Sequence, residues 1–146
     1  MNITKLIEAV KSWGVSRGIT GPNGKGTIER QFAKFIEELH EFLTAKTDEE
    51  KIDALGDLQV VAIQAHALVE GLDLKINVID WDDDEVIDAL AHAVSRLNCD
   101  PESSFNAVRS VARKTGFDPD ECLQAAYDVI SKRSGSVIDG MFVKDK

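Results

Sequence analysis

The sequence predicts an all-α fold: a helical bundle of about five to six helices, closed by a short C-terminal β-hairpin or arm. Three observations predict it. Apolar residues recur at helical spacing along most of the chain. Pro occurs at only three positions and β-branched clusters are sparse. Two capping-box patterns, Thr47 with Glu50 and Asp118 with Glu121, each stand ahead of a helical run.

Residues 2–13 read as an amphipathic helix, with Ile3, Leu6, Ile7 and Val10 on one side. Gly14, Gly18, Gly21, Pro22, Asn23, Gly24 and Gly26 then mark a long flexible loop. Gly24, Lys25, Gly26 and Thr27 put Gly after the Lys, so the loop lacks the Gly-Lys-Ser/Thr ending of a phosphate loop. A mobile connector is the better reading. A second helix spans about 28–45. A third starts at the Thr47 cap, continues to about Glu70 and stops at Gly71. From Leu58 to Val69 it is apolar nearly all round, the pattern of a central, buried helix.

Residues 84–98 and 101–115 read as two further helices. The last helix has Asp118 as N-cap and Pro119 at its first position, and runs to about Arg133. Asp100-Pro101 and Asp118-Pro119 are two similar helix starts, not a repeat. In the tail, Asp139-Gly140 forms a turn signal between apolar residues. That points to a small hairpin, or to an arm reaching over a neighbouring subunit.

A chain of 146 residues is expected to form one domain with a real core. The net charge of −9 argues against binding to nucleic acid polymers or to an anionic membrane. It does not argue against a nucleotide, because bound metal offsets the local charge. No apolar run approaches the roughly 20 residues that span a bilayer. Glu8, Lys11 and Arg17 interrupt any signal-peptide layout. Cys99 and Cys122 form no metal or redox motif. The expectation is a reduced, cytoplasmic protein.

The chemistry is concentrated in two acidic clusters, Glu37, Glu38 and Glu41, then Asp53 and Asp57. Carboxylates three or four residues apart share a helix face. Two such helices packed antiparallel point several carboxylates into one small volume. There they repel and need a cation, and a hard divalent ion such as Mg²⁺ suits oxygen ligands. Taken alone, the first cluster also fits an ordinary solvated face. Its three glutamates span about 100° of the wheel, opposite Phe32, Phe35, Leu39, Phe42 and Leu43. Lys34 would then offer surface ion pairs. The second cluster favours the metal. Asp57 opens the apolar stretch, where an ionised Asp needs a partner if buried. Gly56 beside it allows close approach of a backbone or a ligand.

A carboxylate di-iron centre needs two Glu-x-x-His pairs, and only Glu37 with His40 provides one. His66 reads as a core histidine and His92 as a surface or interface residue. The acids around Trp81 read as a solvated helix start.

The run through Gln31, Lys34, Glu37, Glu38 and Glu41, followed by Asp53, Gly56 and Asp57, resembles the signature of the MazG-like, all-α nucleoside triphosphate pyrophosphohydrolases. The stretch from Trp13 to Ile19 and the stretch from Glu121 through Tyr127, Lys132, Arg133 and Gly135 to Lys144 resemble the short, phage-associated branch of that family. The resemblance covers roughly residues 10–74 and 117–144, which leaves 75–116 as a helical insertion.

The resemblance implies Mg²⁺-dependent hydrolysis of nucleoside or deoxynucleoside triphosphates to monophosphate and pyrophosphate. Mn²⁺ is a possible substitute and attack falls at the α-phosphorus. It implies a homodimer or homotetramer working in nucleotide-pool control, in the host cytoplasm if phage-encoded. By matching the motif, Glu38, Glu41 and Asp57 are metal ligands, and Glu37 and Glu38 are catalytic. The family usually has Glu three residues before the Asp; here that place holds Ala54. Asp53, Glu50 or water takes over. Lys34, Lys132 and Arg133 are expected on the substrate, with Lys144 as a further contact if the tail folds back. Trp13 could stack on a base. Asp128 stands where relatives usually carry Asn, and an ionised Asp only accepts hydrogen bonds. A phosphoribosyl-ATP type of pyrophosphohydrolase and a non-catalytic acidic helical module remain as alternatives.

Overall fold

A computed structural model describes residues 1–69, 73–77 and 85–145. Among them are six helices, α1 (Ile3–Ser16), α2 (Ile28–Thr44), α3 (Asp48–Val69), α4 (Val86–Arg96), α5 (Pro101–Lys114) and α6 (Pro119–Ile130). A hairpin follows, β1 (Gly135–Ile138) and β2 (Met141–Lys144). The all-α bundle with a C-terminal hairpin is therefore the fold. The expected stop of the third helix at Glu70 and Gly71 lies outside the described residues. So do the acids around Trp81 and the start of the helix expected from Asp84.

The caps explain where helices begin. Asp118 Oδ1 accepts from the backbone N–H of Asp120 at 2.8 Å and of Glu121 at 3.4 Å. Asp100 does the same for Ser103, so the two Asp-Pro sites are indeed similar helix starts. Thr47 Oγ1 accepts from the Glu50 N–H at 3.1 Å and donates to the Glu50 carboxylate at 3.1 Å.

α3 is the axis of the bundle. From Ala54 to His66 every residue is buried except Asp57. α2, α5, α6 and α1 pack around it. By length and composition alone α3 is apolar enough to cross a membrane, contrary to the sequence expectation, but 67% of that stretch is buried against the other helices. Gly56 serves helix packing: a Cβ there would collide with the Cys122 carbonyl oxygen and the Ala126 methyl of α6. The close approach read from the sequence is that of a backbone.

α5 falls in the expected insertion, yet it supplies core. Phe105, Ala107, Val108, Val111 and Ala112 are fully buried. Arg109 is buried with them, donating to Gln59 Oε1 at 3.1 Å and to Asp120 Oδ1 at 2.6 Å. His92 bridges α4 to α5 through Ser103 Oγ at 3.2 Å.

Three expectations need correction. α1 runs three residues past Trp13, through Gly14, because nothing in one backbone turn requires Gly14 to break a helix. α6 ends at Ile130, and Lys132 and Arg133 lie in the turn that follows. The Gly-rich segment after α1 is a hydrogen-bonded loop. Lys25 donates to Gly18 O and Gly26 to Ile19 O, both at 2.9 Å, with Ile19 and Thr20 buried.

The tail folds onto its own chain. Val137 faces Phe142 and Ile138 faces Met141 across the hairpin. Gly140 takes the turn with φ 82°. Its carbonyl accepts from the Thr27 N–H at 3.2 Å, and Asp139 O accepts from Arg30 Nε at 3.0 Å. Phe142 meets Trp13 edge-on, with ring centroids 5.3 Å apart.

Candidate active site and metal centre

α2 and α3 are joined by a short connection and so run antiparallel. Along α2 the buried stripe is Gln31, Phe35, Glu38 and Phe42. Glu38 is thus not on the solvated acidic face that the helical wheel suggests. It sits among the core phenylalanines, 4% exposed. Leu43, expected on the apolar side, is 58% exposed. The buried seam is rotated by about 60° from the apolar sector of the wheel, so it keeps Phe35 and Phe42, takes in Glu38, and leaves Glu37 and Glu41 at its edge.

Burying Glu38 brings it to Asp57. One carboxylate oxygen from each of Glu38, Glu41 and Asp57 lies within 4.8 Å of the others. The electrostatics record the crowding. Burial pushes the Glu38 carboxyl up to about 8, reinforced by a proton shared with Glu41 and by the charge of Asp57, against Lys34. Burial likewise pushes Asp57 up to about 7, with Asp53 adding to it and Arg133 and Lys34 opposing. Lys34 bonds Glu38 at 3.3 Å and Glu37 at 3.4 Å. Burial alone would lower its pKa, but those two carboxylates hold it above the usual lysine value.

A divalent cation fits these residues. Glu38 Oε2 is buried and has no hydrogen-bond partner among the described residues, a loss of about 1–3 kcal/mol for a polar atom and more for a charged one. Oxygens around an octahedral Mg²⁺ at about 2.1 Å lie roughly 3–4 Å apart. The three carboxylates therefore need only small side-chain adjustments to close on an ion.

The acidic centre opens into a cavity of about 500 Å³. Lys34, Glu37, Glu38, Glu41, Asp53 and Asp57 line one end, and Trp13, Val60, Val61, Ile130 and Phe142 line much of the rest. Arg133 and Lys144 also reach it. Of the acids that could stand in for the family residue at Ala54, Asp53 lines the cavity. Glu50 does not; its carboxylate is held by Thr47 at the helix start. Ala54 itself is 1% exposed in the core. The cavity brings together Trp13, Lys34 and Arg133 from the expected substrate contacts, and leaves out two. Lys132 is exposed and does not line it. Asp128 faces solvent and accepts from Gln124 Nε2 at 2.9 Å. His40 is exposed and contributes nothing to it.

Gln31 and Gln64 also line the cavity, and the sequence reading missed them as site residues. The sequence holds only their spacing, seven residues from Glu38 and from Asp57; that these positions lie on buried seams is a matter of packing. Gln64 Nε2 donates to Val10 O at 3.0 Å. Its Oε1 lies where a Cβ on Gly14 would be, so Gly14 is the residue that admits this amide.

The fold and the site define a helical bundle in which three converging carboxylates line a cavity with both charged and apolar walls. Comparison with family models, with curated proteins and with solved structures finds no match for the chain.

Proposed function

We propose that this protein is a Mg²⁺-dependent pyrophosphohydrolase of nucleoside or deoxynucleoside triphosphates, in line with its resemblance to the MazG-like enzymes. One observation carries the reading: Glu38, Glu41 and Asp57 converge within 4.8 Å in a cavity that also holds Arg133, Lys144 and an apolar chamber. A polyphosphate needs the charged end, and the organic part of a nucleotide suits the apolar one.

In this reading Glu38, Glu41 and Asp57 hold the cation, with Asp53 beside them. The ion, Mg²⁺ or Mn²⁺, supplies positive charge to phosphate oxygens and lowers the pKa of a bound water. Glu37 lines the same end and, when ionised, can take a proton from an attacking water. Arg133 and Lys144 face developing phosphate charge. Lys34 keeps Glu37 and Glu38 in place through its two ion pairs. Attack at the α-phosphorus is part of the proposal and rests on the resemblance. A homodimer or homotetramer is part of it too. Leu43 and Ile87 are exposed in an apolar groove between α2 and α4, which gives a second copy something to cover.

The test is product analysis with each NTP and dNTP in ¹⁸O-labelled water, with and without Mg²⁺. Monophosphate carrying the label, plus unlabelled pyrophosphate, is expected, and chelation should abolish both. Release of orthophosphate and NDP, or full turnover by metal-stripped protein, would falsify the proposal.

A further inference from the structure

The geometry points to Gln31 as the residue that reads the edge of a planar nitrogen heterocycle, a nucleobase, bound in the apolar chamber. The inference rests on the proposed nucleotide reading and deepens it by naming what the far end of the cavity selects.

Seven residues are close to two full helical turns, so Gln31 and Glu38 share one seam of α2, and Asp57 and Gln64 share one seam of α3. The helices are antiparallel. Moving seven residues back from Glu38 and seven forward from Asp57 therefore travels the same way along the pair. The result is a carboxylate layer, Glu38 with Asp57, and an amide layer, Gln31 with Gln64, about 10 Å further along. That separation matches the span of a nucleotide from its base edge to its 5′-phosphate.

The two amides differ. Gln64 is committed to Val10 O and pressed against Gly14. Gln31 is 5% exposed, lines the cavity, and its side chain has no partner among the described residues. A carboxamide presents one acceptor and two donors in a plane. On the wall of the cavity, it suits a flat ligand edge that carries a donor beside an acceptor in one plane, which every nucleobase has and a bare polyphosphate lacks. The chamber wall supplies the face. Trp13 is fixed by Nε1 donating to Ile130 O at 2.9 Å and by its edge-on contact with Phe142. A rigid aromatic pair of this kind favours a flat ring.

Trp13 also provides the assay. With Trp81→Phe as background, Trp13 is the sole tryptophan, and its emission reports occupancy of the chamber without metal or turnover. The probes are cytidine, uridine, adenosine and guanosine, each titrated to its solubility limit. At least one should quench saturably. Gln31→Leu should weaken that nucleoside roughly ten- to a hundredfold, as expected for loss of a two-point edge contact. It should also flatten the preference among bases in kcat/KM, while leaving the Mg²⁺-induced rise in melting temperature intact. Gln31→Met, closer in shape, repeats the test if Leu disturbs packing.

No quenching by any nucleoside overturns the inference. So does a Gln31→Leu protein with unchanged nucleoside affinity and unchanged base preference. Nucleoside binding that depends on Gln31, in a protein that hydrolyses no triphosphate, supports the inference and overturns the hydrolase reading instead.

Discussion

Replacing Asp57 by Asn separates a metal-binding carboxylate from a structural one. In the metal-free protein Asp57 is held up at about 7 against an ordinary 3.8. Below pH 3.8 the native and unfolded chains are both protonated there. As pH rises from 3.8 to about 7 the unfolded chain loses its proton while the native one keeps it, so wild type loses stability across that window. Above about 7 the loss is complete and constant. At about 1.4 kcal/mol per pH unit the ceiling is roughly 4 kcal/mol. The site is partly open to water and Arg133 and Lys34 adjust, so about 1–3 kcal/mol is expected. Asn carries no such penalty. Apo Asp57→Asn should match wild type at pH 3.5, gain across pH 4–7, and exceed it by about 1–3 kcal/mol at pH 8.5. Saturating Mg²⁺ should reverse the order, because an ion at a hundred times its Kd adds about 2.7 kcal/mol to wild type and at a thousand times about 4.1 kcal/mol. The smaller gain is a rise of about 5–10 °C in melting temperature for a chain of this size, and the variant should show little of it. Thermal melts at the two pH values, with and without Mg²⁺, provide the measurement. An apo variant destabilised by more than about 1 kcal/mol at pH 8.5 would mean that the charge of Asp57 is a favourable partner of Arg133, and the metal assignment would fail.

Asp53→Asn should weaken Mg²⁺ binding severalfold by calorimetry, because Asp53 lines the cavity. Glu50→Gln should leave it unchanged and cost only the capping contact, at most about 1 kcal/mol; a larger effect on Mg²⁺ from Glu50→Gln would reverse the assignment of the fourth acid. Gly56→Ala gains up to about 1 kcal/mol in helix propensity, yet its Cβ meets the Cys122 carbonyl. A net loss of about 1–3 kcal/mol by urea denaturation is expected, and a neutral result would show that α6 can shift freely. Arg109→Ala should cost about 1–3 kcal/mol, because it leaves Gln59 Oε1 unpaired in the core while water answers the half-exposed Asp120, and Arg109→Met, which refills the space, should cost clearly less. Equal losses would argue against that network.

Much of the fold was legible because it is written in local signals. Asp100, Asp118 and Thr47 cap the helices the sequence assigns to them, and the Leu58–Val69 stretch is the buried axis it implies. The convergence of Glu38, Glu41 and Asp57 was legible from spacing on two antiparallel helices. What failed depends on packing. The wheel of α2 has glutamates beside its apolar sector, and composition cannot say that Glu38 turns inward while Leu43 turns out. Lys132 and Arg133 are adjacent in sequence, but the end of α6 at Ile130 sends only Arg133 to the cavity. Gln31 and Gln64 escaped because polar residues on a buried seam gain meaning only once their neighbours are known.

The buried polar groups fall into two populations, and the division bears on function. Ser104 donates to Ala93 O at 2.7 Å, Asn106 to Lys75 O and Glu102 O at 2.9 Å, and Gln59 to Pro119 O at 3.0 Å. These groups tie helices together and pair as buried polar atoms in native proteins do. Around the cavity the pattern inverts. Among the described residues Glu38 Oε2 and Gln64 Oε1 are buried without partners, and the Gln31 side chain makes no hydrogen bond. Leucine at those seam positions would pack at no such cost. Thr20 Oγ1 and, on α5, Arg109 Nε are also buried without partners among the described residues, but the cavity is where two such atoms, Glu38 Oε2 and Gln64 Oε1, belong to one lining. In the proposed function such losses are what a ligand would recover on binding, with a cation answering the carboxylate layer and a hydrogen-bonding ring answering the amide layer.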